Sequence, residues 1–276
     1  QALRRCNQNL RLLNINAQSI VSKTVELESI LLTYAPHITV LTETWLNDNH
    51  SDEDIVPESY KTIRRDRPNR GGGVAVVLNT HTTTILLDQI EDHESLCLQL
   101  NVFGNTIILI AVYRPPSSEV EFLTKLYDYS LKHSKNHLII AGDFTLPNIN
   151  WAKLRSPCFS DQVVFDIMLA CDLDQAVGTP TRVQENTASI LDLVFHSKSF
   201  SNVYVSVEDG LSDHKLVLFS CSVVDISDQV PLQRKMFKDF SRANDESILD
   251  YLDLSFDGFS GNDANYLWKK FRSLCE

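Results

Sequence analysis

No stretch of this sequence stays apolar over the roughly 20 residues that a membrane-spanning helix needs, so nothing in it predicts a membrane span or a membrane partner. No long apolar segment follows Arg4 and Arg5, which argues against a secretion signal. None of the six cysteines, Cys6, Cys97, Cys158, Cys171, Cys221 and Cys275, forms a C-x-x-C pair, and the spacing of a structural zinc site is missing. Cys97, Cys171 and Cys221 lie in or beside apolar runs, which predicts buried thiols in a reduced, intracellular compartment. The run Gly71 to Gly73 lacks the Lys-Ser/Thr of a phosphate-binding P-loop, and a strand follows it rather than a helix. Positive charge is short as well. The net charge of -11 weighs against a nucleic-acid reader, because binding DNA means neutralising phosphates. There is no internal repeat and no low-complexity tract. No initiator Met stands at Gln1, and the final FRSLCE falls inside a helical pattern, so the chain reads as a piece of a longer polypeptide.

What is present is organised around His137 to Trp151, HLIIAGDFTLPNINW. Leu138 to Ala141 predicts a core strand that breaks at Gly142 and exposes Asp143 at its end. A carboxylate just past a strand end sits where open sheets carry their chemistry. The same event recurs along the chain. Leu10 to Ile15 predicts a strand ending at Asn16. Ser19 to Tyr34 predicts a helix, with Val25, Leu27, Ile30, Leu31 and Tyr34 at helical spacing. His37 to Leu41 predicts a strand followed by Glu43 and Trp45. Asn47 to Glu58 is acidic surface loop, and Tyr60 to Ile63 a short strand. Arg64, Arg65, Arg67 and Arg70 cluster before the glycines and the strand Val74 to Leu78; by default they are a solvated loop.

Leu96 to Val102 and Thr106 to Tyr113 predict a hairpin turning at Gly104-Asn105. Glu119 to Lys132 predicts an amphipathic helix with Phe122, Leu123, Leu126, Tyr129 and Leu131 inward. Asp161 to Cys171 predicts another helix and Thr179 to Arg182 a turn. Ile190 to Phe195 predicts a strand carrying Asp192 between two leucines, and Val203 to Val207 a further one. Ser212-Asp213-His214 then precedes a last strand, Leu216 to Val224. Beyond it strand signals cease; helical patterns recur only at Glu246 to Leu254 and Ala264 to Leu274. The expected division is a domain over 9–224 and a linker or docking tail over 225–276. Hairpins mixed with helical crossovers point to an α/β sandwich.

If the strand ends converge, Asn16, Glu43, Tyr113, Asp143, Asp213 and His214 form one polar face. Hard oxygen ligands of this kind suit Mg²⁺ or Mn²⁺ better than zinc or copper. An ion beside a carboxylate base and a charged imidazole can hydrolyse a phosphoester. Asp192 would hold His214 in one tautomer and keep it charged. Taken singly, Asn16 also fits a turn cap, Glu43 a solvated strand end, Tyr113 simple packing, and Asp213-His214 a loop hydrogen bond. Asp192 is the stronger signal, since a carboxylate in an apolar strand needs a partner.

In order, the chain carries Leu13-Asn14-Ile15-Asn16-Ala17, Thr42-Glu43-Thr44-Trp45-Leu46, Gly71-Gly72-Gly73-Val74, Val112-Tyr113-Arg114-Pro115-Pro116, Gly142-Asp143-Phe144, Leu191-Asp192-Leu193-Val194-Phe195 and Ser212-Asp213-His214-Lys215. This series resembles the endonuclease/exonuclease/phosphatase superfamily, and within it the apurinic-endonuclease-like domain of LINE-type, Jockey-like retrotransposons. The resemblance runs from about Leu10 to Val224; Phe237-Lys238-Asp239-Phe240 resembles the linker before a reverse transcriptase. It implies a four-layer sandwich of two stacked mixed sheets flanked by helices. It implies a Mg²⁺-dependent nuclease acting in the nucleus, which nicks target DNA to leave a 3′-hydroxyl for target-primed reverse transcription by a reverse transcriptase in the same polyprotein. By motif position, Glu43 would bind the metal with Asn16 beside it and Asp213 in support. Asp143 would activate water, Tyr113 and His214 would contact the phosphate, and Asp192 would orient His214. Apart from the resemblance, the clustering of Arg64, Arg65, Arg67 and Arg70 beside the glycine run predicts that they help hold DNA phosphate, and Arg114 is a further candidate for DNA contact. The family pattern Gly-Asp-Phe-Asn is Gly-Asp-Phe-Thr here, so Thr145 replaces a positioning amide. Losing one preorganised donor costs on the order of 10² to 10³ in rate, which predicts a weakened enzyme. The alternatives are a phosphoesterase of the same fold acting on a lipid or inositol phosphate, and a catalytically silent DNA-docking module.

Overall fold

A computed structural model describes residues 9–223 apart from 117–119, 159–160 and 185–186. The tail expected over 225–276, with its two helical patterns, lies outside the described residues, as do Cys6 and Cys275. The chain runs through β1 (Asn9–Asn16), α1 (Thr24–Tyr34), β2 (Ile38–Thr42), β3 (Tyr60–Arg65), β4 (Val74–Asn79), β5 (Thr83–Leu86), β6 (Ser95–Val102) and β7 (Asn105–Tyr113). It continues through α2 (Val120–Lys132), β8 (His137–Asp143), α3 (Gln162–Ala170), β9 (Leu173–Gln175), β10 (Arg182–Gln184), β11 (Thr187–Ser189), β12 (Asp192–Ser197), β13 (Phe200–Glu208) and β14 (Leu216–Val223).

Two six-stranded sheets result, ordered β13-β14-β1-β2-β4-β3 and β5-β6-β7-β8-β12-β9. Both are mixed. Each contains a parallel pair joined through a helix, β1-α1-β2 in the first and β7-α2-β8 in the second. The period-2 alternation of β1 shows how the layers form. Leu10 and Leu12 enter the core between the sheets with Leu98, Leu109 and Ile139, while Leu13 and Ile15 pack on Leu27 and Leu31 of α1. On the far side, Ile108, Ile110 and Ile140 pack under Phe122, Leu126 and Ile167 of α2 and α3. The expected helix–sheet–sheet–helix sandwich is the observed architecture. All seven residues of β8 are buried, as a strand covered on both faces requires.

Several local expectations shift. The helix expected from Ser19 starts at Thr24, and Val25 is 74% exposed. The backbone of Gln18 and Ser19 is left-handed, and Ala17, Ser19 and Ile20 donate N–H bonds to the carbonyls of Thr42, Glu43 and Thr44 at 2.9, 2.8 and 3.0 Å. Strand-like pairing between β1 and β2 therefore outlasts the strands and delays the helix. The hairpin turns one residue early, at Phe103-Gly104, where both φ values are positive (54° and 79°), as a type I′ turn demands. Leu131 is 44% exposed rather than inward. The short strands β5, β9, β10 and β11 had no clear sequence signal. Cys97, Cys171 and Cys221 are buried free thiols, as expected. Among the described residues no helix is long and apolar enough to cross a membrane.

Candidate active site

Asp143 is not exposed past a broken strand, as the sequence suggested; it is the last residue of β8 and is buried. The ladder carries it there. Tyr113 of β7 and Asp192 of β12 are its direct partners on either side, so three candidate side chains stand in one row on the face turned to the other sheet. Gly142 makes this row possible: its φ is 149°, and a Cβ there would collide with the Val112 backbone. Strand β1 closes the row from the opposite sheet. Asn16 donates its amide N–H to Asp143 Oδ2 at 2.8 Å.

Two carboxylates directly opposite one another repel. Asp143 is buried, and burial together with the Asp192 charge raises its pKa well above the carboxylate range; His214, the Thr145 N–H and Asn16 oppose that rise. His214, also buried, places Nδ1 2.8 Å from Asp192 Oδ2. Burial works against charge on this imidazole, but the bond to Asp192 and the fields of Asp192, Asp143 and Asp213 outweigh it and raise its pKa. The carboxylates around it therefore favour the charged form of His214 more than water does. The expected Asp192–His214 pairing is present.

Thr145 lies beside Asp143, donating both its N–H (2.9 Å) and its hydroxyl (3.0 Å) to Oδ1. Its hydroxyl does reach the carboxylate. The φ of 44° there is unusual for a β-branched residue.

A second cluster forms around Glu43, whose backbone is left-handed (φ 54°). Its Oε2 accepts the Trp45 indole N–H (2.6 Å) and the Gly72 N–H (2.9 Å), and its Oε1 accepts the Tyr113 hydroxyl. The glycine run thus serves a carboxylate. Burial first, and then the bond to Glu43, raise the Tyr113 pKa, so the phenol stays protonated. The Arg67 guanidinium lies 5.7 Å from the centre of its ring.

The remaining candidates are placed as follows. Asp213 sits at the rim, with Oδ2 2.8 and 2.7 Å from Arg182 Nε and Nη2 and with Gln18 on Oδ1. Burial would raise its pKa, but Arg182 holds it below the usual range. Arg64 pairs with Asp52 (3.2 Å) and donates to the His50 carbonyl; Arg65 donates to the Ile90 carbonyl; Arg67 pairs with Glu94. Arg70 is exposed, 5.5 Å above the Trp45 ring. Arg114 is buried, with Nη1 3.3 and 3.4 Å from the Phe144 and Thr145 carbonyls, so it braces the loop after β8.

Sequence reasoning passed over four residues. Asn14, on the same face of β1 as Asn16, bridges the sheets by donating to the Gly142 (3.1 Å) and Leu193 (3.3 Å) carbonyls. Its signal was a second amide on an apolar strand face. Thr181 Oγ1 accepts the N–H groups of Leu191 and Asp192. Glu94 holds Arg67 and the Gly73 N–H. Arg182 holds Asp213. The last three come from distant segments and carry no local pattern.

The donor set fits a hard divalent cation. Carboxylate oxygens of Asp143 and Asp192 lie within 4.8 Å of one another, and Asp192 Oδ1 is buried without a hydrogen-bond partner; His214, whose Nδ1 is taken by Asp192, stands beside them as a charge partner rather than a ligand. Glu43 adds a further carboxylate across the Tyr113 hydroxyl.

Comparison with known proteins agrees with this picture. Residues 107–218 match a family model described as endonuclease-reverse transcriptase. No curated protein matches the sequence. Among solved structures, the endonuclease domain of TRAS1, a telomere-specific non-LTR retrotransposon, superposes with a TM-score of 0.64 at 16% identity, covering 79% of this chain and 100% of that domain. An AP endonuclease from Archaeoglobus fulgidus gives 0.57 at 16% identity, covering 76% of this chain and 98% of that one. The 3′-5′ exonuclease NExo of Neisseria meningitidis gives 0.58 at 16% identity, covering 77% and 100%. The chain has the endonuclease/exonuclease/phosphatase fold, and the resemblance read from its motifs is borne out.

Proposed function

We propose that this chain is a divalent-metal-dependent endonuclease that nicks target DNA and leaves a 3′-hydroxyl for target-primed reverse transcription in the nucleus. A reverse transcriptase joined to it in one polyprotein would use that end. The observation that supports this best is the buried trio itself: Asp143 braced by Asn16 and Thr145, facing an imidazole that Asp192 keeps charged. Asp143 takes the proton of the attacking water, for which a raised pKa is an advantage. His214, as imidazolium, holds the phosphate oxygens through Nε2, since Nδ1 is committed to Asp192. Tyr113 presents its hydroxyl to the same phosphate and to Glu43. Glu43 and Asn16 would hold Mg²⁺ or Mn²⁺, with Asp213 in support at the rim. The ion, when bound, would neutralise charge developing on the phosphate.

The deciding experiment is relaxation of supercoiled plasmid with Mg²⁺ or Mn²⁺ by the unsubstituted chain and by His214→Ala. Nicking by the first and a loss of about 10² or more in the second is expected. The net charge of -11 and the pairing of Arg64 and Arg67 to acidic side chains favour one other reading, a phosphoesterase of the same fold on a lipid or inositol phosphate. Hydrolysis of an inositol phosphate by a chain that never nicks plasmid would replace the nuclease reading with that one.

A further inference from the structure

The four clustered arginines are not equivalent. Arg64 and Arg67 are held by carboxylates, and Arg65 is turned to a carbonyl. Among the described residues Arg70 makes no hydrogen bond or ion pair. Its side chain is exposed, and its guanidinium lies over the Trp45 ring, 5.5 Å from the centroid. That leaves all five N–H donors available while the flat face is supported, the arrangement in which arginine loses least freedom on binding a phosphate. The supporting indole is fixed at its other end, because Nε1–H donates to Glu43 Oε2 at 2.6 Å. The Trp45 N–H bonds the Gly72 carbonyl at 3.0 Å, and the Gly72 N–H returns to Glu43. Two left-handed residues, Glu43 and Trp45, hold the turn.

We propose that Trp45 is a positioning residue that joins the Glu43 carboxylate to a single DNA-contacting guanidinium, with Arg70 taking one backbone phosphate at the edge of the site. This rests on the nuclease reading above. The Trp45 indole N–H orients Glu43, its ring face orients Arg70, and the cluster contributes one phosphate contact rather than four.

The test uses duplex binding by fluorescence anisotropy over a salt series in EDTA, and Mn²⁺ binding by electron paramagnetic resonance without DNA. Arg70→Ala is expected to flatten the log–log salt dependence by about 0.9. Trp45→Phe keeps a ring but loses the N–H. It is expected to retain the salt slope and weaken Mn²⁺ about tenfold, in line with the loss of a group that orients a ligand. Trp45→Leu loses both ring and N–H and is expected to flatten the salt slope as well as weaken Mn²⁺. The proposal is overturned if Arg70→Ala leaves the slope unchanged, if Arg64→Ala flattens it equally, or if Trp45→Phe binds Mn²⁺ as tightly as the unsubstituted chain. Binding of no DNA by the unsubstituted chain at low salt would instead remove the nuclease reading, and this proposal with it.

Discussion

Thr145 holds a left-handed backbone, φ 44°, in order to aim its N–H and hydroxyl at Asp143. That conformation costs a β-branched residue about 1–2 kcal/mol, and less for asparagine, whose short side chain tolerates it. Thr145→Asn is therefore expected to raise Tm by about 2–4 °C, read by thermal unfolding, and to nick plasmid at least as fast as the unsubstituted chain. Asp143 shows the opposite exchange. Its folded pKa lies above its unfolded value, so its protonated form favours the fold. That contribution is complete below about pH 4 and is lost as pH rises through the raised folded value. Asp143→Asn is expected to abolish nicking while raising Tm at pH 8 by about 2 °C or more, with the two melting curves converging near pH 4. On the proposed mechanism, a charge kept in this crowded, buried row is a stability cost borne for function. The pH–rate profile carries the same logic. Asn16 favours the ionised Asp143, so Asn16→Ala should move the acid limb to higher pH. Asp192 favours the charged His214, so Asp192→Asn should move the alkaline limb to lower pH.

At the scale of elements, the site depends on the ends of interior strands, where the face of one sheet meets the face of the other. Strands β7, β8 and β12 carry Tyr113, Asp143 and Asp192 in register, and β1 brings Asn16 from the facing sheet. Asn14 ties these layers together, because its amide reaches carbonyls of β8 and β12 beside the two aspartates. Replacing it with leucine leaves two buried carbonyls without that donor, at about 1–3 kcal/mol each. Asn14→Leu is expected to lower Tm by several degrees and nicking at least tenfold; Tm and activity both unchanged would show that the sheets align without it. The strand ends, the polar residues on them and both crossover helices were legible in the sequence, since period and end-of-strand chemistry are local. The four short strands were not. A strand of three or four residues has too little periodicity to read, and its pairing partner is distant in the chain.

For the molecule as a whole, the two six-stranded sheets are complete by Val223, the last residue of β14. A chain ending after residue 224 is expected to unfold in one cooperative transition and to keep its nicking activity; failure to fold would move the domain boundary into the tail. The net charge of -11 predicts weak non-specific binding to DNA, with few phosphate contacts to make affinity steep in salt.

The sequence by itself determined the composition class, the order of the long strands and helices, and the identity of most of the polar residues at strand ends. It also carried the motif series that led to the superfamily, because each of those features is written within about ten consecutive residues. Only the tertiary structure decided what those side chains do to one another. Asp143 is buried because its neighbours in the ladder lie 30 and 49 positions away. Three of the four clustered arginines are occupied, and Asp213 faces Arg182 rather than solvent alone. Charge, burial and hydrogen-bond geometry are properties of pairs, and those pairs exist only once the sheets have closed on each other.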